Sequence, residues 1–313
     1  MNNFNYAIMT DPSGDLLPEI RREYSIEMIA GHYTDSGRQE FPSDADMDGQ
    51  QRENFYSQLR SRPSEFTTSP PSVEEFCMRF EEHLSAGRDV ICFTISAQLS
   101  GSNEFAEQAR LKMSAKYPDR KLYVVDTFKF SAAVGLMAIH ASIRRQNGMS
   151  VDEVARKAQE EKFSYHQMGW LDDLSFVAKT GRINHAAAFF GSLMGVKPLG
   201  DLDRNGKVTV LGKAKGAKQA YEVIVDYIEK TIVNPSEQIV VFAHTNRAGQ
   251  LDELKKLVTE RIKPAKVITT AVYPYCGINV GPGLMACYYT GKPVSDNLEE
   301  EKKLMEGILN SHR

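Results

Sequence analysis

The chain has 313 residues, more than one hydrophobic core usually serves, so two domains are the natural expectation. Apolar residues make up 42% and charged residues 25%, the balance of an ordinary globular protein, and a net charge of −3 gives no electrostatic ground for binding nucleic acid or a membrane surface. Four cysteines lack C-x-x-C spacing, no basic region precedes an apolar core at the N-terminus, and the longest weakly polar run, Ala186–Val196, is too short for a bilayer. These features predict a cytoplasmic protein that does not span a membrane.

Asn5–Thr10 reads as a first strand running into the turn-rich Asp11-Pro-Ser-Gly-Asp15, with a helix after Pro18. Residues 33–66 are polar and read as irregular apart from a short helix, Asn54–Arg60. Within them Asp44, Asp46, Asp48 and Gly49 imitate a calcium loop, but position twelve is Phe55, where an EF-hand needs glutamate, so no metal is expected. In Phe66-Thr-Thr-Ser-Pro-Pro-Ser72 the prolines hold the backbone extended, and Ser72 with Glu75 forms a capping box for a helix whose Phe76, Phe80 and Leu84 share a face.

Asp89–Ser102 (DVICFTISAQLSGS) is a buried strand, Val90–Phe93, opening into a loop of hydroxyls and glycine before a helix. In an open α/β sheet, ligands bind beyond the carboxyl ends of such strands, and the amides of the helix N-terminus suit an anion. The plainer alternative is a serine-rich turn that only caps the helix. Phe105, Ala109 and Met113 mark that helix, Leu122–Asp126 is another strand, and Ser131–Gln146 is a helix stopped by Asn147-Gly148. Ser150 and Glu153 begin the next with a second capping box. Three strand-loop-helix units predict a parallel, doubly wound sheet over residues 1–160.

Residues 161–313 predict an α/β domain with a mixed sheet. Leu171–Ala178 reads as a helix, Lys179-Thr-Gly-Arg-Ile183 as a break and Asn184–Gly195 as a second helix. Asp203-Arg-Asn-Gly206 joins Val196–Leu202 to Lys207–Lys213 as a hairpin. Ala217–Thr231 and Ala248–Arg261 read as helices, Gln238–His244 and Lys266–Tyr273 as strands, and Gly281-Pro-Gly283 as the entry to a small-residue helix. Arg182, just past a helix-ending Gly181, offers a guanidinium to a carboxylate or phosphate, or is an exposed cation at a helix C-terminus. No dinucleotide or Walker A fingerprint is present. A hydrolase built from Ser96 or Ser100 with His244 and Asp126 is the enzymatic alternative, without the G-x-S-x-G turn such enzymes use.

In their order, Thr10-Asp-Pro-Ser-Gly-Asp-Leu16, Thr68-Ser-Pro-Pro-Ser72, Phe93-Thr-Ile-Ser-Ala-Gln-Leu-Ser-Gly101, Val125-Asp126, Lys179-Thr-Gly-Arg-Ile183, His244 and Gly281-Pro-Gly283 resemble the DegV family of fatty-acid-binding proteins. The resemblance spans nearly the whole chain. It implies a two-domain α/β protein holding a long-chain fatty acid between its domains, with no catalytic residue, metal or cofactor. In bacteria that have a fatty acid kinase, such a protein presents the carboxylate to the kinase, which makes the acyl phosphate. By the same resemblance Thr68 and Ser96 hold the carboxyl group, Arg182 lies near the same end, and Asn279, Gly281 and Gly283 complete the ligand-binding set. Pro12, Ser69-Pro70-Pro71 and Ser96-Ala97-Gln98 depart from the family's usual forms, and Asn279 stands where a histidine is common. An asparagine amide donates a hydrogen bond but neither carries charge nor relays a proton, so the resemblance implies binding with weak transfer. A non-catalytic regulatory module is the remaining alternative.

Overall fold

The computed structural model describes residues 4–35, 37–43, 47–183 and 195–312. The chain divides into two compact units, neither of them continuous: the first is Met1–Asp46, Glu65–Lys162 and Tyr273–Tyr275, the second Met47–Ser64, Phe163–Val272 and Cys276–Arg313.

The first unit is built on β1 (Tyr6–Thr10) and β2 (Ile26–Met28), with β3 (His32–Thr34), β4 (Glu40–Pro42), β5 (Thr67–Ser69), β6 (Asp89–Thr94) and β7 (Leu122–Asp126) following. Four of these form an all-parallel sheet in the order β2-β1-β6-β7. Side chains alternate across the pleat. Ala7, Met9, Val90 and Cys92 therefore meet Phe76, Phe80 and Leu84 of the helix Val73–Leu84 and Ala106, Ala109 and Met113 of the helix Ser102–Lys116. The helix Ala132–Gln146, buried over most of its length, packs on the same sheet against β1 and contacts Val151–Glu161. Both expected capping boxes are present, Ser72 with Glu75 and Ser150 with Glu153.

Residues 33–66 differ from the irregular stretch expected. β3, β4 and β5 make a small antiparallel sheet, with Tyr33 stacked on Phe41 at 5.3 Å. Strands of three residues are too short for their alternation to register in the sequence. Asp48 caps the helix Gly49–Ser61 in a capping box with Gln51, a structural role for one member of the apparent calcium loop; Asp44 and Asp46 lie outside the described residues.

The second unit carries β8 (Tyr165–Trp170), β9 (Val196–Leu202), β10 (Val208–Lys215), β11 (Ile239–His244), β12 (Lys266–Ala271) and β13 (Met285–Thr290), in the order β10-β9-β8-β13-β11-β12. Among the described strands of this sheet β11 and β12 pair in parallel and the other neighbours antiparallel, so the sheet is mixed, as expected. Asp203–Gly206 turns β9 into β10, with Gly206 at φ 77° and the Asp203 carboxylate accepting the amides of Asn205 and Lys207. Leu251, Leu254 and Val258 of the helix Ala248–Ile262, Val223, Ile224 and Tyr227 of Gly216–Thr231, and Met305 and Ile308 of Glu299–Ser311 fill the core with Met168, Trp170 and Phe242.

Two expectations need correction here. The helix read over 171–178 is the short Ser175–Lys179, preceded by β8, a strand with polar His166 and Gln167 inside it. The small-residue segment after Gly283 is β13, a central strand, and the helix, Pro274–Val280, comes before the glycines. Small residues are required there by backbone approach: a Cβ on Gly169 would lie 2.1 Å from the Met285 carbonyl oxygen. The helix expected over 184–195 falls, but for Gly195, outside the described residues. Among those described, no helix is long and apolar enough to cross a membrane.

Candidate functional site

β1 and β6 run side by side in parallel, so their carboxyl ends open into adjacent loops, 11–15 and 95–101. The buried Asp11 carboxylate ties the two together: Oδ2 accepts the Ile95 amide at 3.0 Å, and Oδ1 accepts the Ser13 amide at 3.0 Å as well as the Ser13 hydroxyl. Burial pushes this carboxyl group above the ordinary aspartate range, against the hydrogen bonds that favour its anion. Asp15, also buried, accepts the Ser131 hydroxyl at 2.6 Å and the Tyr273 amide at 2.8 Å.

Ser96 follows β6 and is fully buried. Its amide donates to the Lys129 carbonyl (2.9 Å), and its own carbonyl accepts the Leu99 (2.9 Å) and Ser100 (3.3 Å) amides, which closes the turn. Its Oγ accepts the Gln98 amide at 3.2 Å, and the hydroxyl proton has no acceptor among the described residues. The Ala97 and Ser102 amides donate to Asp126 and to Ser100 Oγ. The amides of residues 95–100 and of Ser102 are therefore bonded within the fold, and the buried hydroxyls whose protons meet no acceptor among the described residues include those of Ser96 and Ser102. Ser100 is paired with the Tyr275 hydroxyl at 2.7 Å. Thr68 is half-buried on β5, opposite Tyr33.

In the second unit, Arg182 follows a Schellman ending of the helix Ser175–Lys179: Gly181 at φ 72° donates to the Ala178 carbonyl, and the Arg182 amide to that of Val177. The side chain is half-buried, and its guanidinium donates to the Thr180 carbonyl. Asn279 is half-buried near the end of the helix Pro274–Val280, and Gly281 and Gly283 are buried in the loop leading to β13. That loop is pinned by Thr245, just after β11. The Thr245 hydroxyl donates to the Gly281 carbonyl (2.9 Å) and accepts the amides of Gly283 and Leu284 (2.8 Å each). The Gly281 and Gly283 amides are thus bonded internally. Gly283, at φ 111°, leaves no room for a Cβ, which would lie 2.6 Å from Asp172. Asp172 accepts Lys197 at 2.5 Å, Trp170 Nε1 at 3.1 Å and Arg247 Nε at 3.0 Å. Burial alone would raise its pKa, but the two cations outweigh that and hold the carboxyl group low.

His244, at the end of β11, accepts the Arg247 amide at Nδ1 (2.9 Å), and burial together with the Arg52 charge lowers its pKa to about 4. A hydrolase triad needs Nδ1–H donating to a carboxylate. Here Nδ1 is an acceptor, and the Asp126 carboxylate is bonded to the Ala97 and Phe128 amides. Among the described residues, one trio of possible metal ligands comes together: Glu27, Glu82 and His83. The Arg79 guanidinium already bridges its two carboxylates, at 2.8 and 2.6 Å, and supplies the cation the trio calls for.

Sequence reasoning passed over Asp11, Asp172, Thr245 and Arg247. Asp11 had a local signal, an acidic residue directly after a buried strand. The other three act through partners up to 75 positions away, which no local pattern shows.

A family model described as uncharacterised protein, DegV family, matches residues 5–292. A fatty acid-binding protein of Thermotoga maritima is 29% identical over 279 residues, covering 85% of this chain and 94% of that one. A solved DegV lipid-binding protein from the same organism superposes with a TM-score of 0.80 at 24% identity, over 92% of this chain and 99% of that chain. The Streptococcus pneumoniae fatty acid kinase B3 protein, loaded with linoleic acid, superposes with a TM-score of 0.78 at 20% identity, over 92% and 100%. The match along 5–292 takes in both the hydroxyl-bearing turn after β6 and the glycine loop before β13, and the chain belongs to the DegV family.

Proposed function

We propose that this protein binds a long-chain fatty acid and holds its carboxylate with Thr68, Ser96, Arg182 and Asn279. Gly281 and Gly283, whose amides are bonded internally, serve by leaving room for close approach of the backbone. The observation that carries this reading is the Ser96 hydroxyl, a buried donor at the carboxyl end of a parallel strand whose proton meets no acceptor among the described residues. Burying a donor without an acceptor costs about 1–3 kcal/mol, and a ligand carboxylate relieves that cost. The acyl chain adds roughly 0.8 kcal/mol per buried methylene, so it supplies affinity while the head group needs donors to offset its desolvation. The names of the Thermotoga and Streptococcus relatives support the same ligand class. Binding rather than catalysis is favoured by the acceptor role of His244 Nδ1.

The expected outcome is that protein purified from a bacterial host releases a long-chain fatty acid on denaturing extraction, identified by mass spectrometry. Recovery of no lipid, together with failure of added oleate to bind, would end this reading; esterase activity abolished by Ser96→Ala would replace it with the hydrolase.

A separate fatty acid kinase is the partner class proposed for the loaded protein, supported by the kinase B3 relative. Asn279 can donate to the head group but cannot relay a proton, so Asn279→His raises acyl phosphate formation with a kinase of the same organism more than it raises affinity. Equal transfer by both proteins removes Asn279 from that step.

A further inference from the structure

β2 is an edge of the parallel sheet, and its outer side has no neighbouring strand among the described residues. The register pairs Thr10 with Met28, and the Ile29 amide donates to the Thr10 carbonyl, so Glu27 and Ile29 turn their main-chain groups towards β1. In a parallel ladder the alternate residues face the other way. Ile26 and Met28 therefore direct their N–H and C=O groups outward, where neither finds a partner among the described residues.

Ile26, Glu27 and Met28 line a groove of about 530 Å³ together with Arg21 and Arg22 of the preceding helix and Arg79 of Val73–Leu84. Three arginines and one glutamate line it, and that glutamate, Glu27, is paired with Arg79 at 2.8 Å. An open edge flanked by charge is normally protected from pairing by repulsion. Here the lining charge is net positive, and it repels only a partner that shares that sign. A small anion would gain from the arginines and the two N–H groups but meet two carbonyls, whereas an extended backbone satisfies donors and acceptors together.

We infer that this groove accepts an extended acidic segment of another protein, which adds to β2 as a fifth strand with its carboxylates against Arg21 and Arg22. The segment pairs with Ile26 and Met28 through its main chain and is selected by charge through its side chains. This surface belongs to the first unit and uses none of the residues assigned to the fatty acid.

The test uses the full chain and a capped heptapeptide alternating glutamate with valine, followed by calorimetry and by amide hydrogen exchange. The expected result is binding with slowed exchange at the Ile26 and Met28 amides. A lysine-for-glutamate peptide, a version N-methylated at alternate residues, and the exposed-site variant Arg22→Glu each weaken binding at least tenfold, while the bound fatty acid content of Arg22→Glu stays at the wild-type level. Equal binding of the acidic and lysine peptides, or tight binding of the N-methylated one, overturns the inference. So does absence of binding at millimolar peptide. Protection of Ile26 and Met28 that grows with protein concentration in the absence of peptide assigns the edge to a second copy of this chain instead.

Discussion

The two units solve the same problem, covering an α/β sheet, by different means. In the first, the main sheet is parallel, side chains alternate between two apolar layers, and the polar work is done in loops beyond the strand ends. In the second, polar residues sit inside the strands and the backbones come close together. His166, the second residue of β8, is buried between Asp201 (2.9 Å) and the Lys292 carbonyl (2.9 Å) and stacks on Tyr289. Gly169, Gly200 and Gly291 each abut another backbone so closely that a Cβ would fall 2.1 to 2.6 Å from a carbonyl oxygen. The second unit is therefore exacting along its strands, whereas the first is exacting where the Ala132–Gln146 helix meets the 11–15 loop, a Cβ on Gly135 falling 2.4 Å from the Gly14 carbonyl oxygen, and is open at Gly101.

The largest effect expected from this contrast is at paired glycines. Gly169→Val destabilises the protein by at least ~4 kcal/mol or prevents folding, the range reserved for gross overpacking. Gly101→Ala, in a loop of the first unit with nothing within 4 Å of its Cβ and φ at −71°, shifts stability by no more than about 0.5 kcal/mol. Urea unfolding of both variants measures the difference, and equal losses would erase the contrast.

Next comes Thr245→Val, which keeps the shape but removes a hydroxyl making three hydrogen bonds to the 281–284 loop. A loss of ~2–3 kcal/mol is expected, with Thr245→Ser recovering most of it. If serine fares no better than valine, the methyl group rather than the hydroxyl holds the loop.

Acid sharpens the comparison further. His140 in the first unit and His244 in the second both have folded-state pKa values lowered to about 4 by burial first, with Arg144 and Arg52 respectively adding to it. Above pH 6.5 both are neutral whether folded or unfolded. As pH falls from 6.5 towards 4 the unfolded chain takes up protons that the native state refuses, and each histidine removes ~1–3 kcal/mol of stability. His140→Gln and His244→Gln should each flatten the profile in that window. An unchanged slope in either variant means its imidazole protonates equally well in both states.

The smallest effect is on binding alone: Ser96→Ala and Thr68→Ala each weaken fatty acid affinity by ~1–2 kcal/mol, the range for one hydrogen bond to a charged group, with little change in stability. Displacement of a fluorescent fatty acid reads this directly, and undiminished affinity in both variants puts the carboxylate elsewhere.

The same contrast explains what was legible in the sequence. Phe76, Phe80 and Leu84 announced their helix because a helix with one apolar face repeats every three to four residues, and the serine–glutamate boxes marked two starts within one residue. Thr68, Ser96 and Arg182, proposed here for the ligand, stood out in the sequence as a hydroxyl before a helix, a hydroxyl after a strand and a guanidinium after a glycine. β8 and β13 were not found. YHQMGW and MACYYT show neither alternation nor a helical period, since both faces are covered and the partners of His166 lie 35 and 126 positions away. Thr245 escaped notice for the same reason, its three bonds reaching 36 to 39 residues onward.

Residues 273–275, which the first unit takes from deep within the second half of the chain, have a consequence for biosynthesis. Asp15 and Ser100 leave the ribosome early, yet their partners, the Tyr273 amide and the Tyr275 hydroxyl, emerge only when nearly nine-tenths of the protein has been made. A nascent chain halted before that point carries the parallel sheet with Asp15, a buried carboxylate, still without the Tyr273 amide. Final closure of the first unit is therefore post-translational in timing for most of its sequence, and a stalled or truncated product is marked by an open 11–15 loop accessible to proteases.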